Sequence, residues 1–256
     1  MRSAVETGTP FIFFRDTVNA ANPNKHAGMI YASNLCHEIA QNVGFTNLAE
    51  EIINEDGTIT TKTNTGDMVT CNLNSISLGR ITDEELEENI ALQIRMLDNV
   101  ISINQAPVPE SRMTSDKYRA IGLGTSGYHH YLVNHDIQWE SDEHIEVADK
   151  LFENIAFYAI KASMELAKEK GAYPAFKGSE WETGEYFTRR GYTSDRWKQL
   201  AADVAKYGIR NGYLMAVALL VLLPTLQILL LVSTQSSKNS LSKKRKVLSP
   251  QKQLQI

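Results

Sequence analysis

The stretch Ser33-Asn34-Leu35-Cys36-His37-Glu38-Ile39 places an amide, a thiol and a carboxylate at every second position. If Tyr31 to Ile39 is extended, successive side chains alternate, so Asn34, Cys36 and Glu38 share one face about 7 Å apart. A sulfur beside a carboxylate and an amide can take or return a hydrogen while the carboxylate moves a proton. Spacing by itself favours an ordinary buried cysteine, the commonest fate of that residue. Other chemistry-bearing groups say less. Gly122-Leu-Gly-Thr-Ser-Gly127 imitates a dinucleotide fingerprint, but it is one residue short before the last glycine and no clear strand leads into it, so it predicts a tight turn. His129 and His130 are adjacent and therefore point different ways, with no Cys, Asp or Glu at ligand spacing, so no metal site is expected. The acidic run Asp83 to Glu88 reads as a solvated helix N-terminus.

The elements that must position these residues follow from periodicity. Phe11–Phe14, Gly28–Leu35 and Met68–Leu73 read as short strands, the first two separated by the loop from Asn19 to Lys25. Thr82 with Glu85 three residues on forms a capping box, and Leu86, Ile90, Ile94, Leu97 and Ile101 mark one helical face. Ser141 or Asp142 caps a long helix that stops at Gly171, with Ile145, Ala148, Leu151, Phe152, Ile155, Ala159 and Leu166 inward. Ser194 starts another, with Trp197, Leu200 and Val204 buried and an end near Gly208. Short strands with long helices between them predict an α/β fold, with barrel and doubly wound arrangements both open.

Composition sets the outer bounds. The 256 residues are 43% hydrophobic and 22% charged with a net charge of −4, enough for a real core and without a dominating basic face for nucleic acid. Two cysteines make no disulfide framework, which predicts a reducing, cytoplasmic setting. Met1 to Arg15 lacks signal-peptide anatomy and reads as though it begins mid-domain. From Tyr213 to Val232 the chain turns almost wholly apolar, and then Ser/Lys/Gln-rich with a basic run from Lys243 to Lys246.

Taken in order, these blocks resemble the large, catalytic subunit of ribonucleotide reductase. Ser33 to Ile39 is similar to that family's active-site strand, where a thiyl radical forms on the central cysteine. The likeness continues at Asp16-Thr-Val-Asn19 and Asn22-Pro23, and at Thr70-Cys71-Asn72-Leu73-Asn74-Ser75-Ile76. It extends to Arg119-Ala-Ile-Gly-Leu-Gly124, Tyr207-Gly-Ile-Arg-Asn211 and Leu214-Met-Ala-Val-Ala218, covering nearly all of residues 1 to 218 in family order. The resemblance implies a partial ten-stranded α/β barrel over 1–218 that reduces ribonucleoside diphosphates to 2′-deoxyribonucleoside diphosphates. It implies that Cys36 takes the hydrogen from C3′ and that Glu38 is the base on the 3′-hydroxyl. Asn34, with Ser33, would hold the substrate, and Cys71 would be one of two thiols that reduce C2′ and end as a disulfide. A small strand residue facing the core is the competing reading of Cys71. The blocks look most like the class I enzymes, which implies a radical supplied by a small subunit with a dinuclear metal site. No cofactor or metal is then expected on this chain, and the reductant would be of thioredoxin or glutaredoxin type.

Against that family the chain is expected to be incomplete. The second redox cysteine precedes the active-site strand in the family, whereas no cysteine precedes Cys36 here. The nucleotide-effector regions, the radical-transfer tyrosine pair and the Cys-rich terminal tail are also unmatched. After Ala218 the family continues with a Pro-Thr-Gly-Ser-Thr-Ser loop for substrate phosphate, where this chain runs Leu219-Leu-Val-Leu-Leu-Pro-Thr-Leu-Gln227. Codons for Pro-Thr-Gly-Ser-Thr-Ser-Asn-Ile-Ala read one base late can encode every residue from Leu219 to Gln227. Residues 219–256 are therefore expected to be a frameshift product, against the alternative of a membrane anchor, for which about 20 apolar residues suffice. A non-catalytic remnant and one piece of a split reductase are the competing readings of the chain as a whole.

Overall fold

In the computed structural model Leu73–Ser77 and Gly122–Ser126 pair in parallel, Leu73 opposite Gly122 through Ser77 opposite Ser126. The structure describes residues 2–217, so the expected aberrant tail at 219–256 lies outside the described residues. In chain order the elements are α1 (Arg2–Thr7), α2 (Arg15–Ala20), β1 (Asn47–Ile53), β2 (Ile59–Asn64), β3 (Leu73–Ser77), α3 (Leu86–Ile103), α4 (Pro109–Tyr118) and β4 (Gly122–Ser126). There follow α5 (Tyr128–Asn134), α6 (Asp142–Lys170), α7 (Glu180–Thr183), α8 (Glu185–Arg189) and α9 (Asp195–Tyr207), with 3-10 turns at Leu78–Arg80 and Pro174–Phe176.

On its other side β4 is bridged in parallel at Met215, with the Leu123 amide donating to the Leu214 carbonyl at 2.8 Å. Parallel neighbours joined through helices make this an α/β fold. Among the described residues the sheets are this parallel pair and the antiparallel β1–β2 hairpin, and no closed barrel is formed. The glycines of the imitation fingerprint sit mostly inside β4, which corrects the expected tight turn. A side chain at Gly122 or Gly124 would strike Ala216, so they permit the 214–216 backbone to lie against the strand. Only Gly127, at φ +69°, makes a turn, leading into α5. The two adjacent histidines face different neighbours: the His130 ring packs where a side chain on Gly79 would be, and His129 faces Trp139 with ring centroids 6.0 Å apart.

The helices follow their sequence patterns closely. In α3, Leu86, Ile90, Ile94 and Leu97 are buried and Ile101 packs against the core. Its regular turns start at Leu86 and no side chain caps it, which corrects the expected Thr82 cap. Glu85 accepts from the Thr82 amide at 3.3 Å, but the Glu85 amide donates to the Thr82 carbonyl and not to its hydroxyl. The Ser141 side chain caps α6 by accepting from the His144 amide, and Gly171 at φ +84° ends it. The inward face of α6 begins later than expected. Ile145 and Phe152 are exposed, whereas Leu151, Ile155, Ala159 and Leu166 are buried with Ile160, Ser163 and Met164. Helix α6 packs on α3, and its buried Ser163 holds Asn211 at 2.8 Å. In α9, Trp197, Leu200 and Val204 are buried, and Trp197 stacks on Tyr192 at 3.8 Å. No helix among the described residues is long and apolar enough to cross a membrane.

The strand expectations fared worse. Phe11–Phe14 is irregular and runs into α2, Gly28–Leu35 forms no strand, and the strand expected at Met68–Leu73 lies at Leu73–Ser77 instead. Side chains replace the missing ladder. Asn19 donates to the Ile30 carbonyl at 2.8 Å and accepts from the Ile30 amide at 2.9 Å, which is what a neighbouring strand would have done. Pairing was also missed at β1 and β2, where all residues are exposed and polar residues interrupt the alternation.

A buried carboxylate ties the helices together. Asp98 of α3 is fully buried and meets Arg119 at 2.7 Å, Lys170 at 3.2 Å and Arg210 at 3.3 Å. Arg119 holds a left-handed backbone at φ +44° just after α4, and its guanidinium also donates to the Asp98 carbonyl and Ser102 Oγ. Burial alone would raise the Asp98 carboxyl, but the Arg119 hydrogen bond and the surrounding cations outweigh it and hold it below the usual range. Asp98→Asn should destabilise the chain by about 3–5 kcal/mol at neutral pH, because Arg119 is left buried beside an uncharged group. A carboxyl depressed in the folded state contributes above its unfolded value of about 3.9 and loses that contribution as pH falls through the folded value. Urea unfolding should therefore show the wild-type advantage shrinking below about pH 4.

Candidate active site

The segment expected to run extended through Tyr31–Ile39 instead folds into a turn at Asn34–His37. The His37 amide donates to the Asn34 carbonyl at 3.1 Å, and Leu35 and Cys36 occupy the turn. The cause is local hydrogen bonding by short polar side chains. Asn34 Oδ1 accepts from the Ile39 amide at 3.1 Å, and Ser33 Oγ donates to the Ile39 carbonyl at 2.7 Å. These bonds close the segment on itself, so the predicted single face of Asn34, Cys36 and Glu38 does not form. His37 takes φ +68°, with its ring between Phe11 and Phe13 at centroid distances of 5.3 and 5.2 Å. Cys36 is thus presented at an exposed turn, which also overturns the ordinary buried cysteine.

The same asparagine reaches the second cysteine. Asn34 Nδ2 lies 3.5 Å from Cys71 Sγ, two residues before β3. Burial pushes the Cys71 thiol up, the Asn34 hydrogen bond draws it back in part, and the charges of Glu38 and Cys36 push it up again. Cys71 is exposed rather than facing the core, which removes its competing structural reading. Glu38 is half-buried, and its Oε2 has no hydrogen-bond partner among the described residues. Ser33, Asn34 and Cys71 line one cavity of about 570 Å³. Cys36 and Glu38 are not among its walls and lie close enough only to be felt electrostatically at Cys71.

What places this turn is a buried polar network invisible to motif reading. Asn42 accepts from Asn22 Nδ2 at 2.8 Å and donates to the Asn24 carbonyl at 2.9 Å and the Tyr118 hydroxyl at 3.1 Å. Its backbone amide donates to the Tyr213 hydroxyl, which donates in turn to Asn22 Oδ1. Asn24 accepts from the Tyr173 hydroxyl at 2.6 Å and donates to the Gly212 carbonyl. Burial drives the Tyr173 and Tyr213 phenols far above their ordinary value, so both stay protonated donors. Asp67, on the cavity wall, accepts from Tyr118 at 2.8 Å and from Lys117 at 2.9 Å. Gly44 and Gly66 let two backbones touch there, because a side chain on Gly66 would collide with the Gly44 carbonyl. The sequence signal was the density of asparagine, Asn19 at the end of α2 and Asn22, Asn24 and Asn42 in the irregular stretch after it.

Comparison with known proteins shows the family. The profile of the family described as ribonucleotide reductase, barrel domain, matches residues 1–240, a range that runs past Ala218. The ribonucleoside-diphosphate reductase subunit alpha of Treponema pallidum is 54% identical, over 85% of this chain and 26% of its own length. The corresponding subunit of Helicobacter pylori is 36% identical, over 94% of this chain and 36% of its own. The Vaccinia virus large subunit is 30% identical, over 84% of this chain and 27% of its own. The chain therefore spans about a quarter to about a third of the length of these relatives.

If Asn34 steadies the Cys71 sulfur, Asn34→Ala should raise the thiol further. Iodoacetamide labelling of the chain against pH, with peptide mass mapping to separate Cys71 from Cys36, should show the Cys71 midpoint above the ordinary thiol range of about 8.5 and higher still in the variant. A midpoint that stays put or falls in Asn34→Ala would break the contact's assigned role.

Proposed function

The chain belongs to the ribonucleotide reductase barrel-domain family, and from that membership we propose that it carries the catalytic centre for reducing ribonucleoside diphosphates to 2′-deoxyribonucleoside diphosphates. The observation that carries the reading is one side chain: Asn34 both closes the turn presenting Cys36 and touches the Cys71 sulfur at the cavity edge. In this reading Cys36, as a thiyl radical, takes the hydrogen from C3′ and becomes a thiol. Glu38, whose Oε2 is free to accept, takes the 3′-hydroxyl proton. Cys71 and a second thiol from outside this chain's cysteines supply two electrons. C2′–OH becomes C2′–H, water leaves, and the two sulfurs end as a disulfide. Glu38 returns the 3′-hydroxyl proton, and the Cys36 thiol returns its hydrogen to C3′ and is a thiyl radical again. Ser33 and Asn34 hold the ribose hydroxyls.

The remaining parts of the proposal follow from the resemblance. The parallel order of β3, β4 and the Met215 segment supports a portion of a ten-stranded barrel completed by further chain. A separate small subunit with a dinuclear metal site would supply the radical, and a thioredoxin- or glutaredoxin-type protein would reduce the disulfide. Nucleotide effectors would act on other parts of the subunit, and the setting would be cytoplasmic. Residues 219–256 are read as a frameshift product. The coding DNA decides this, since the adjacent frame after the Ala218 codon should then give Pro-Thr-Gly-Ser-Thr-Ser.

In a complete reductase carrying residues 1–217 of this chain, Cys36→Ser should abolish deoxynucleotide formation with an unfolding midpoint close to wild type, because serine changes little volume. Glu38→Gln should lower turnover by about 10²–10⁴-fold, as expected when a proton acceptor is lost. A Cys36→Ser enzyme that still forms product would refute the assignment.

A further inference from the structure

The cavity beside Asn34 and Cys71 holds two polar side chains that the chemistry above leaves unused, Glu110 at its edge and Gln41. Gln41 lines its wall and is only 6% exposed as a residue, while its amide atoms stay open to the cavity and bond no described residue. Most neighbouring polar groups are already engaged: Ser33 and Asn34 in the turn, Asp67 with Lys117 and Tyr118, and Thr46 accepting from the Gly66 amide, whereas Glu110 uses only its backbone carbonyl, toward Thr114. A polar amide carried on a mostly buried side chain and opening into a cavity is placed to bond a guest there. Gln41 offers a donor and an acceptor side by side. That pair matches the edge of a nucleobase, which also sets donors beside acceptors, and the amide can turn over to suit purine or pyrimidine. Ile39, Val43 and Val69 add apolar wall for the ring faces. At about 570 Å³ the cavity has the size of a small-molecule site, and Cys71 stands on the same wall.

We propose that Gln41 hydrogen-bonds the base of the bound ribonucleotide and so fixes how its ribose faces Cys71 and the Cys36 turn. The proposal rests on the ribonucleotide reading above and adds the group that holds the base. It is tested on the full chain by the rate at which iodoacetamide labels Cys71 in the presence of uridine diphosphate, adenosine diphosphate or ribose 5-phosphate. The two nucleotides should slow labelling, and Gln41→Leu should weaken their protection about tenfold, the size of one lost hydrogen bond. Any protection by ribose 5-phosphate, which has no base, should be the same in both proteins. An unchanged ligand-free labelling rate reports an intact cavity in Gln41→Leu. Gln41→Asn, which keeps the amide but retracts it by one carbon, should fall between the two. Equal nucleotide protection in wild type and Gln41→Leu would overturn the role of Gln41 and leave the ribonucleotide reading standing. Absence of protection by either nucleotide would also overturn it, and the Cys36→Ser experiment would then judge the ribonucleotide reading by itself.

Discussion

Asparagine side chains take the place of a strand ladder around the candidate centre, and the rest of the site depends on that substitution. Residues 21 to 46 contain no regular element, yet Asn22, Asn24 and Asn42 are buried almost completely. A buried backbone without partners is costly, so the stretch holds together only because these amides and three tyrosine hydroxyls supply the missing bonds. Each bond is worth about 1 kcal/mol net, but removing one partner strands a buried donor or acceptor at about 1–3 kcal/mol. The network is therefore worth more as a fixed geometry than as a sum of stabilities.

Two hubs meet at adjacent residues. Tyr118 belongs to the asparagine network and Arg119 to the Asp98 cluster, so the end of α4 links the turn-bearing segment to the helical frame. The same happens across Asn211, Gly212 and Tyr213: Asn211 donates to Asp98, the Gly212 carbonyl accepts from Asn24 and Trp181, and Tyr213 bonds Asn22. The left-handed backbone of Arg119 and the close approach of Gly212 to Tyr173 are the local costs of bringing these groups together. Position thus passes from the packing of α3 on α6, through Asp98 and its cations, to the loop that carries Asn34 and Cys36.

Helices were readable from the sequence because their signals are local: the buried Leu86, Ile90, Ile94 and Leu97, the stop at Gly171, and the buried Trp197, Leu200 and Val204 all stand where periodicity placed them, though Thr82 does not cap. Strands were less so. The parallel pair buries glycines rather than alternating apolar residues, so Gly122 to Ser126 imitated a nucleotide loop. The identities of Asn34, Cys36, Glu38 and Cys71 came from residue types and family likeness, but their shared face was wrong. Ser33 and Asn34 satisfy the backbone locally and bend it, a competition that alternation counting does not include. Gln41 and Asn42 gave no motif at all, since burial of an amide is decided by distant tyrosines and glycines.

A side-chain network, not a sheet, fixes the Cys36 turn beside Cys71. Hydrogen exchange of Asn42→Leu against wild type tests it most directly. The account predicts that amides within 31–44 exchange about tenfold faster or more in the variant, while those of α3 and α6 keep their protection. Unchanged protection at 31–44, or a uniform loss that includes α3 and α6, would contradict it.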